Sequence, residues 1–273
     1  MGSIRTLVCG DIHGGLKALK QALQRASYDS MRDKLIFLGD YVDGWPESAQ
    51  LIDYLIELQE FSPKEKPIIF IRGNHDQWCH EWFTYGIAQE MWLKQGGQST
   101  KDSYLETCYL HKDSHKNFFK HLVNYYVDEE NRGFVHGGFK SKKGLGHAAH
   151  ESDYYWDRDM WELAIALNGN IPDKSDQYYR PNPYRMYKHK EIFIGHSTTM
   201  MHKIKPKYKE YKDPNQPKNG GIIVPMNRCN VWNLDTGGGW GGKLSIMDID
   251  TKEYWQSDFV KDLYPDYKER QYE

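Results

Sequence analysis

Eight polar side chains in this sequence share one local setting. Asp11 and His13 follow the apolar run Thr6-Leu7-Val8-Cys9, and Asp40 and Asp43 follow Leu35-Ile36-Phe37-Leu38. Asn74 and His75 follow Ile68-Ile69-Phe70-Ile71, His136 follows Gly133-Phe134-Val135, and His196 follows Ile192-Phe193-Ile194. One Gly-Asp after a strand would be an ordinary turn. Its repetition along one chain points to a shared site. Carboxylate, carboxamide and imidazole donors without thiolate suit manganese, with iron or zinc as alternatives.

A single ion takes about three or four protein ligands. This set is too large for one ion and about right for two. Two divalent ions roughly 3.5–4 Å apart clamp a phosphoryl group and acidify a shared water. A carboxylate between them relieves their repulsion, and Asp40 is assigned to that bridge. Asp11 and His13 complete the first ion, and Asn74, His136 and His196 the second. A hydroxide bridging the ions is expected to attack phosphorus in line. His75 and Asp43 remain. His75 is expected to protonate the leaving oxygen, with Asp43 bonded to its other ring nitrogen.

The elements that position these groups follow from periodicity. Continuous apolar runs such as Thr6–Cys9 read as buried parallel strands. Leu16, Leu19, Ala22, Leu23 and Ala26 recur at helical spacing, and so do Leu51, Ile52, Leu55 and Leu58 behind Pro46. The order β-α-β-α-β implies an α/β chain with a parallel sheet, whose ligands gather at the carboxyl ends of the strands. Residues 77–127 read as helical, and His80, His111, His115 and His121 within them as surface or core histidines. Residues 168–186 read as a loop. The lysine-rich stretch 202–218 reads as an exposed, solvated loop in preference to a nucleic-acid contact. Asn233 to Gly242 is a glycine-rich link, and Lys243 to Ile249 followed by Tyr254-Trp255 has hairpin grammar. A single domain over residues 1–273 is expected.

Bulk properties exclude some classes. A net charge of -2 gives no global footprint for nucleic acid or membrane. Cys9, Cys79, Cys108 and Cys229 are scattered, as suits reduced thiols in the cytoplasm. No apolar run approaches a membrane span. Met1-Gly2 with Thr6 fits a loose myristoylation pattern, but residues 5–9 read as a core strand instead.

Gly10-Asp11-Ile12-His13-Gly14, Gly39-Asp40-Tyr41-Val42-Asp43, Arg72-Gly73-Asn74-His75-Asp76, His136-Gly137-Gly138 and Gly195-His196-Ser197 occur in that order. Together they resemble the calcineurin-like metallophosphoesterases, and within them the phosphoprotein phosphatase branch. Asp235-Thr236-Gly237-Gly238 resembles the last strands of that family. The resemblance implies a central β-sandwich flanked by helices in four layers. It also implies a two-metal centre at the strand ends, with the ligands assigned above. Two positions depart from the family. Gly44-Trp45 stands where its motif continues Arg-Gly, and Asp76 stands where it usually has Glu. Arg158, in Trp156-Asp157-Arg158-Asp159, sits like a second phosphate-binding arginine of the family. Arg72 is read as a structural ion-pair residue.

The resulting expectation is a dimetal phosphomonoester hydrolase of the serine/threonine protein phosphatase type. Its substrate would be a phosphorylated protein or a small phosphate ester. The alternative is a nucleotide phosphohydrolase such as a symmetrical diadenosine tetraphosphatase, with Trp45 and the aromatic loops stacking a base. A catalytically silent binding module is disfavoured, because it has no need of His75 and Asp43 beside a full ligand set.

Overall fold

The computed structural model describes residues 5–167, 183–201 and 221–267. The lysine-rich stretch 202–218 and most of the expected loop 168–186 lie outside the described residues.

The first half alternates strands and helices: β1 (Thr6–Cys9), α1 (Leu16–Arg25), β2 (Lys34–Phe37), α2 (Ser48–Glu60), β3 (Ile69–Phe70) and α3 (Asn74–Tyr85). A helical stretch follows, with α4 (Glu90–Trp92), a kinked turn at Leu93–Gly97, α5 (Gln98–Glu106) and α6 (Asp113–Lys120). Then come β4 (Tyr125–Val127), β5 (Gly133–Val135), α7 (Asp153–Trp156), α8 (Asp159–Leu167) and β6 (Ile192–Ile194). The chain continues through β7 (Met226–Arg228), β8 (Val231–Asn233), β9 (Ser245–Asp248), β10 (Tyr254–Gln256) and α9 (Val260–Leu263).

These strands form two mixed sheets of the same size, ordered β10-β9-β1-β2-β3 and β4-β5-β6-β8-β7. In the first, β1, β2 and β3 run parallel, while β9 is antiparallel to β1 and to β10. In the second, β5, β6 and β8 run parallel, and β4 and β7 pair antiparallel on the edges.

Strand alternation explains the layers. Leu7 and Cys9 of β1, with Leu35 and Phe37 of β2, point to α1 and α2. Val8 and Ile36, the residues between them, point to the other sheet and meet Phe134 and Phe193 there. Val135, Ile192 and Ile194 point away from the sandwich, onto α7 and α8. Each central strand is therefore buried on both faces, and that is why its sequence is a continuous apolar run. Phe134 and Phe193 stack at 5.0 Å between the sheets.

Two expectations need correction. Tyr125–Val127 is an edge strand, not part of the helical stretch; three residues are too few for a periodicity to show. The first sheet is mixed, because β9 returns beside β1 and completes it from the C-terminal side. The glycine-rich link 233–242 joins β8 of one sheet to β9 of the other, and the hairpin is β9–β10.

Candidate metal centre

The carboxyl ends of β1, β2, β3, β5, β6 and β8 open at one end of the sandwich. Asp11, His13, Asp40, Asn74, His75, His136 and His196 are all buried there, none more than 6% exposed. Their placement depends on unusual backbone. His13, Asp40, Asp43 and His196 all adopt left-handed φ, between 53° and 72°. Such angles are uncommon outside glycine and concentrate where surrounding structure enforces them.

Two tight groups result. His13, Asp40 and His75 bring ligand atoms within 4.8 Å of one another, and so do Asp40, His136 and His196. Asp40 belongs to both. Its Oδ2 lies 3.6 Å from His13 Nε2 and 3.3 Å from His136 Nε2. Asp11 Oδ2 lies 4.0 Å from His13 Nε2, and Asn74 Oδ1 lies 3.2 Å from His136 Nε2. The other nitrogens of two imidazoles are already engaged. His136 Nδ1 donates to the Leu38 carbonyl at 2.8 Å, and His13 Nδ1 lies 3.0 Å from the Asp43 carbonyl. This is how metal-ligating histidines are normally oriented.

Divalent cations fit this cluster on two counts. Among the described residues, Asp11 Oδ1 and His196 Nε2, both buried, have no hydrogen-bond partner. A buried polar atom left that way is costly unless something else ligates it. The electrostatics agree. Burial and neighbouring Asp235 push the Asp11 carboxyl well above the usual range. Burial also pushes Asp235 up to about 6 and, with Asp40, pushes Asp76 up to about 7. Burial would raise Asp40 too, but the imidazoles of His136, His75 and His13 outweigh it and hold it well below. Asp40 and Asp11 in turn overcome the burial of His136 and push it up to about 9. Burial, with the charges of His136 and Arg158, pushes His196 well below its ordinary value. Crowded buried carboxyls are what cations would relieve.

His75 opens α3, and its Nδ1 lies 2.7 Å from Asp43 Oδ2. Arg158 reaches the site from the start of α8, where its Nη1 donates to the His196 carbonyl at 2.9 Å and to Ser197 Oγ at 3.3 Å. Asp157 pairs with Arg185 at 3.8 Å. A cavity of about 520 Å³ rises above the cluster. His13, Asp40, Asn74 and His75 lie on one side and Trp156, Arg158, Glu162 and Trp240 among its other walls.

Two readings of single residues change. Arg72 is structural, but as a hydrogen-bond donor: its guanidinium bonds Gln77 Oε1 and the Phe119 and Leu122 carbonyls. Trp45 is 2% exposed, stacked on Tyr264 at 5.3 Å, so it has no face for a base.

The sequence reading also passed over residues. Asp235 follows β8 as Asp40 follows β2, so the strand-end pattern could have found it; it is 3% exposed and lines the cavity. Asp76 accepts hydrogen bonds from the backbone N–H groups of Asp40, Tyr41 and Gly73. It shapes the turn that carries Asp40, and a Cβ on Gly73 would collide with Asp40 Oδ1 there. The residue that departs from the family's Glu is thus a capping carboxylate. Trp92 and Thr100 donate to the two oxygens of Asp43 at 2.7 and 2.6 Å. They lie about fifty residues downstream of it, beyond the reach of local pattern.

The chain is 26% identical over 286 residues to the symmetrical bis(5'-nucleosyl)-tetraphosphatase of Pseudomonas fluorescens (strain SBW25), covering 91% of this chain and 92% of that protein. It is 28% identical over 170 residues to serine/threonine-protein phosphatase 2 of Escherichia coli (strain K12), covering 60% of this chain and 72% of that one. The crystal structure of a metallophosphoesterase from Sphaerobacter thermophilus shares the fold, with a TM-score of 0.51 at 16% identity over 94% of this chain and 89% of the other. The family model for calcineurin-like phosphoesterases matches residues 4–218. That span takes in every strand end from Asp11 to His196, so the chain belongs to the calcineurin-like phosphoesterase family and is a metal-dependent phosphoester hydrolase.

Proposed function

We propose that the chain hydrolyses dinucleoside polyphosphates of the bis(5'-nucleosyl) tetraphosphate type, and that it works as one domain with both sheets contributing ligands. The observation that carries this reading is the cavity. The Asp–His cluster lines it, and its walls include Trp156 and Trp240 beside Arg158, the one arginine there among the described residues. A phosphopeptide needs no aromatic wall, whereas a nucleobase stacks on one. Likeness to the Pseudomonas tetraphosphatase over 91% of the chain favours the same reading over the protein-phosphatase one, where 60% is covered.

The geometry supports the following roles. Asp11, His13, Asp40, Asn74, His136 and His196 would hold two divalent ions, manganese first by donor type, which neutralise phosphoryl oxygens and lower the pKa of the attacking water. Asp40 is the shared ligand. Arg158, held in place by the His196 carbonyl, grips a phosphate oxygen. Asp43 fixes the Nδ1–H tautomer of His75, and protonated Nε2 of His75 donates to the leaving oxygen.

The test compares turnover of diadenosine tetraphosphate and a phosphoserine peptide with Mn²⁺. The dinucleotide is expected to be the better substrate, releasing two equal nucleoside diphosphates. A large preference for the phosphopeptide would return the chain to the protein-phosphatase reading.

A further inference from the structure

Trp45 occupies a position where the chain departs from its family, and it is fully enclosed. Its surroundings go beyond core filling. The Trp45 backbone N–H donates to the His13 carbonyl at 2.8 Å. Its indole N–H donates to the Gly238 carbonyl at 2.7 Å. Trp45 thus ties the backbone of His13 itself to the glycine-rich link whose Gly239 lies against the His13 ring. Next to Gly238, Gly239 packs against the imidazole so closely that a Cβ there would collide with ring atoms. The T-shaped contact with His75, at 5.0 Å, meets the same imidazole. His13 itself sits at φ 54°, a conformation that needs outside support.

The clamp has a backing. Tyr264, just after α9, stacks on the indole at 5.3 Å with 19° between planes. Its hydroxyl donates to Glu47 and accepts from the Lys17 N–H at 3.0 Å. Val260 N–H donates to the Gly242 carbonyl at 2.7 Å, which ties the glycine-rich link to the same C-terminal segment.

We propose that Trp45 is a positioning residue for His13: it clamps the link Gly237–Gly242 onto the imidazole, with Tyr264 as its support, and so sets the affinity of one of the two metal positions. The proposal rests on His13 being a metal ligand. It predicts an asymmetry, because His13 belongs to one of the two ligand groups that share Asp40, while His136 and His196 belong to the other.

The test is calorimetric titration of metal-free protein with Mn²⁺. Trp45→Phe keeps a ring against Tyr264 and removes the bond to Gly238. One of the two equivalents should bind about tenfold more weakly, the loss typical of removing a group that orients a ligand. The other should bind as before, while the melting midpoint of the metal-free protein falls only by what a smaller buried ring and one lost hydrogen bond cost. Two unchanged equivalents, or equal weakening of both, would overturn the clamp. Gly239→Ala approaches from the opposite side and keeps the indole; it must produce the same one-sided loss, and wild-type binding by it would also overturn the clamp. His13→Ala separates the underlying assignment: if it binds both equivalents like the wild type, the ligand role of His13 is what fails.

Discussion

His75 Nδ1 and Asp43 Oδ2 lie 2.7 Å apart in full burial, and Asp43 has both oxygens engaged by other donors as well. Trp92 shares Oδ2 and Thr100 holds Oδ1. The carboxylate therefore cannot swing, and the imidazole it holds cannot flip. Nε2 is left as the His75 nitrogen available to the cavity that this residue lines.

A fixed imidazole of this kind is suited to the proposed role of general acid. His75→Asn should lower kcat by about 10²–10⁴-fold for poor leaving groups and much less for nitrophenyl esters. Manganese content should be retained. A series of esters of graded leaving-group pKa measures this. Equal slowing across the series would contradict the role.

Asp40 is shared by the two ligand groups, so its loss should not be divisible. Asp40→Asn should lose manganese and activity together. Metal analysis after gel filtration is the measurement, and full occupancy of two ions in that variant would place the bridge elsewhere.

The metal-free protein should lose stability between pH 7 and 9. His136 is pushed up to about 9 by Asp40 and Asp11 against its burial. A histidine whose folded pKa is raised adds stability that is complete below its unfolded pKa of about 6.5 and is lost as pH rises through the folded value. The effect is on the order of a few kcal/mol. Asp76, at about 7, and Asp235, at about 6, act in the same direction; Asp235 is mostly ionised when that window opens, and Asp76 completes its titration in the lower part of it. Depressed Asp40 contributes above the ordinary carboxylate pKa and is lost only in acid. Urea midpoints of chelator-treated protein should fall from pH 7 to 9, while Mn²⁺ affinity rises as His136 gives up its proton. A rising midpoint would contradict the assignment.

Strand ends were legible in the sequence because a doubly buried strand is a continuous apolar run, and its end is marked by the polar residue that follows. Asp11, Asp40, Asn74, His136 and His196 could be found that way. Arg158 stood out through its aromatic neighbours. Edge strands β4 and β7, with three residues each, carry no such signal. Completion of the first sheet depends on β9 returning beside β1, a contact between distant parts of the chain that periodicity does not encode. Trp45 is the instructive miss. A tryptophan beside a strand-end motif invites a stacking role, but the residues that enclose it, Gly238 and Tyr264, lie about two hundred residues away.

Restoring the family's arginine at Gly44 should not restore a phosphate grip. Gly44 has φ 116°, which glycine alone tolerates, and its N–H donates to Ser99 Oγ at 2.9 Å. The Gly96 carbonyl, 3.4 Å from the same nitrogen, braces it from the kinked turn that sends Gln95 into the cavity wall. A side chain at that angle costs about 1–3 kcal/mol. Gly44→Arg should therefore melt several degrees lower and show no gain in kcat/KM. A gain in kcat/KM on any phosphate ester would mean that the turn can relax to accept the arginine.

The site's substrate preference should be carried by Trp156. Its side chain is 40% exposed at the cavity wall, while its edges are fixed by Trp78 at 5.0 Å and His196 at 6.1 Å. A fixed, half-open indole offers a base a surface that needs no reordering, and one stacked base is worth about 1–3 kcal/mol. Trp156→Ala should raise KM for diadenosine tetraphosphate by about tenfold to a hundredfold. Its effect on p-nitrophenyl phosphate, which has no base to stack, should be far smaller. Trp156→Phe should recover most of the loss, because it keeps an aromatic face. If alanine slows both substrates alike and phenylalanine does not rescue, Trp156 acts by packing against His196, and base recognition must come from another wall of the cavity, where Trp240 is the next residue to substitute.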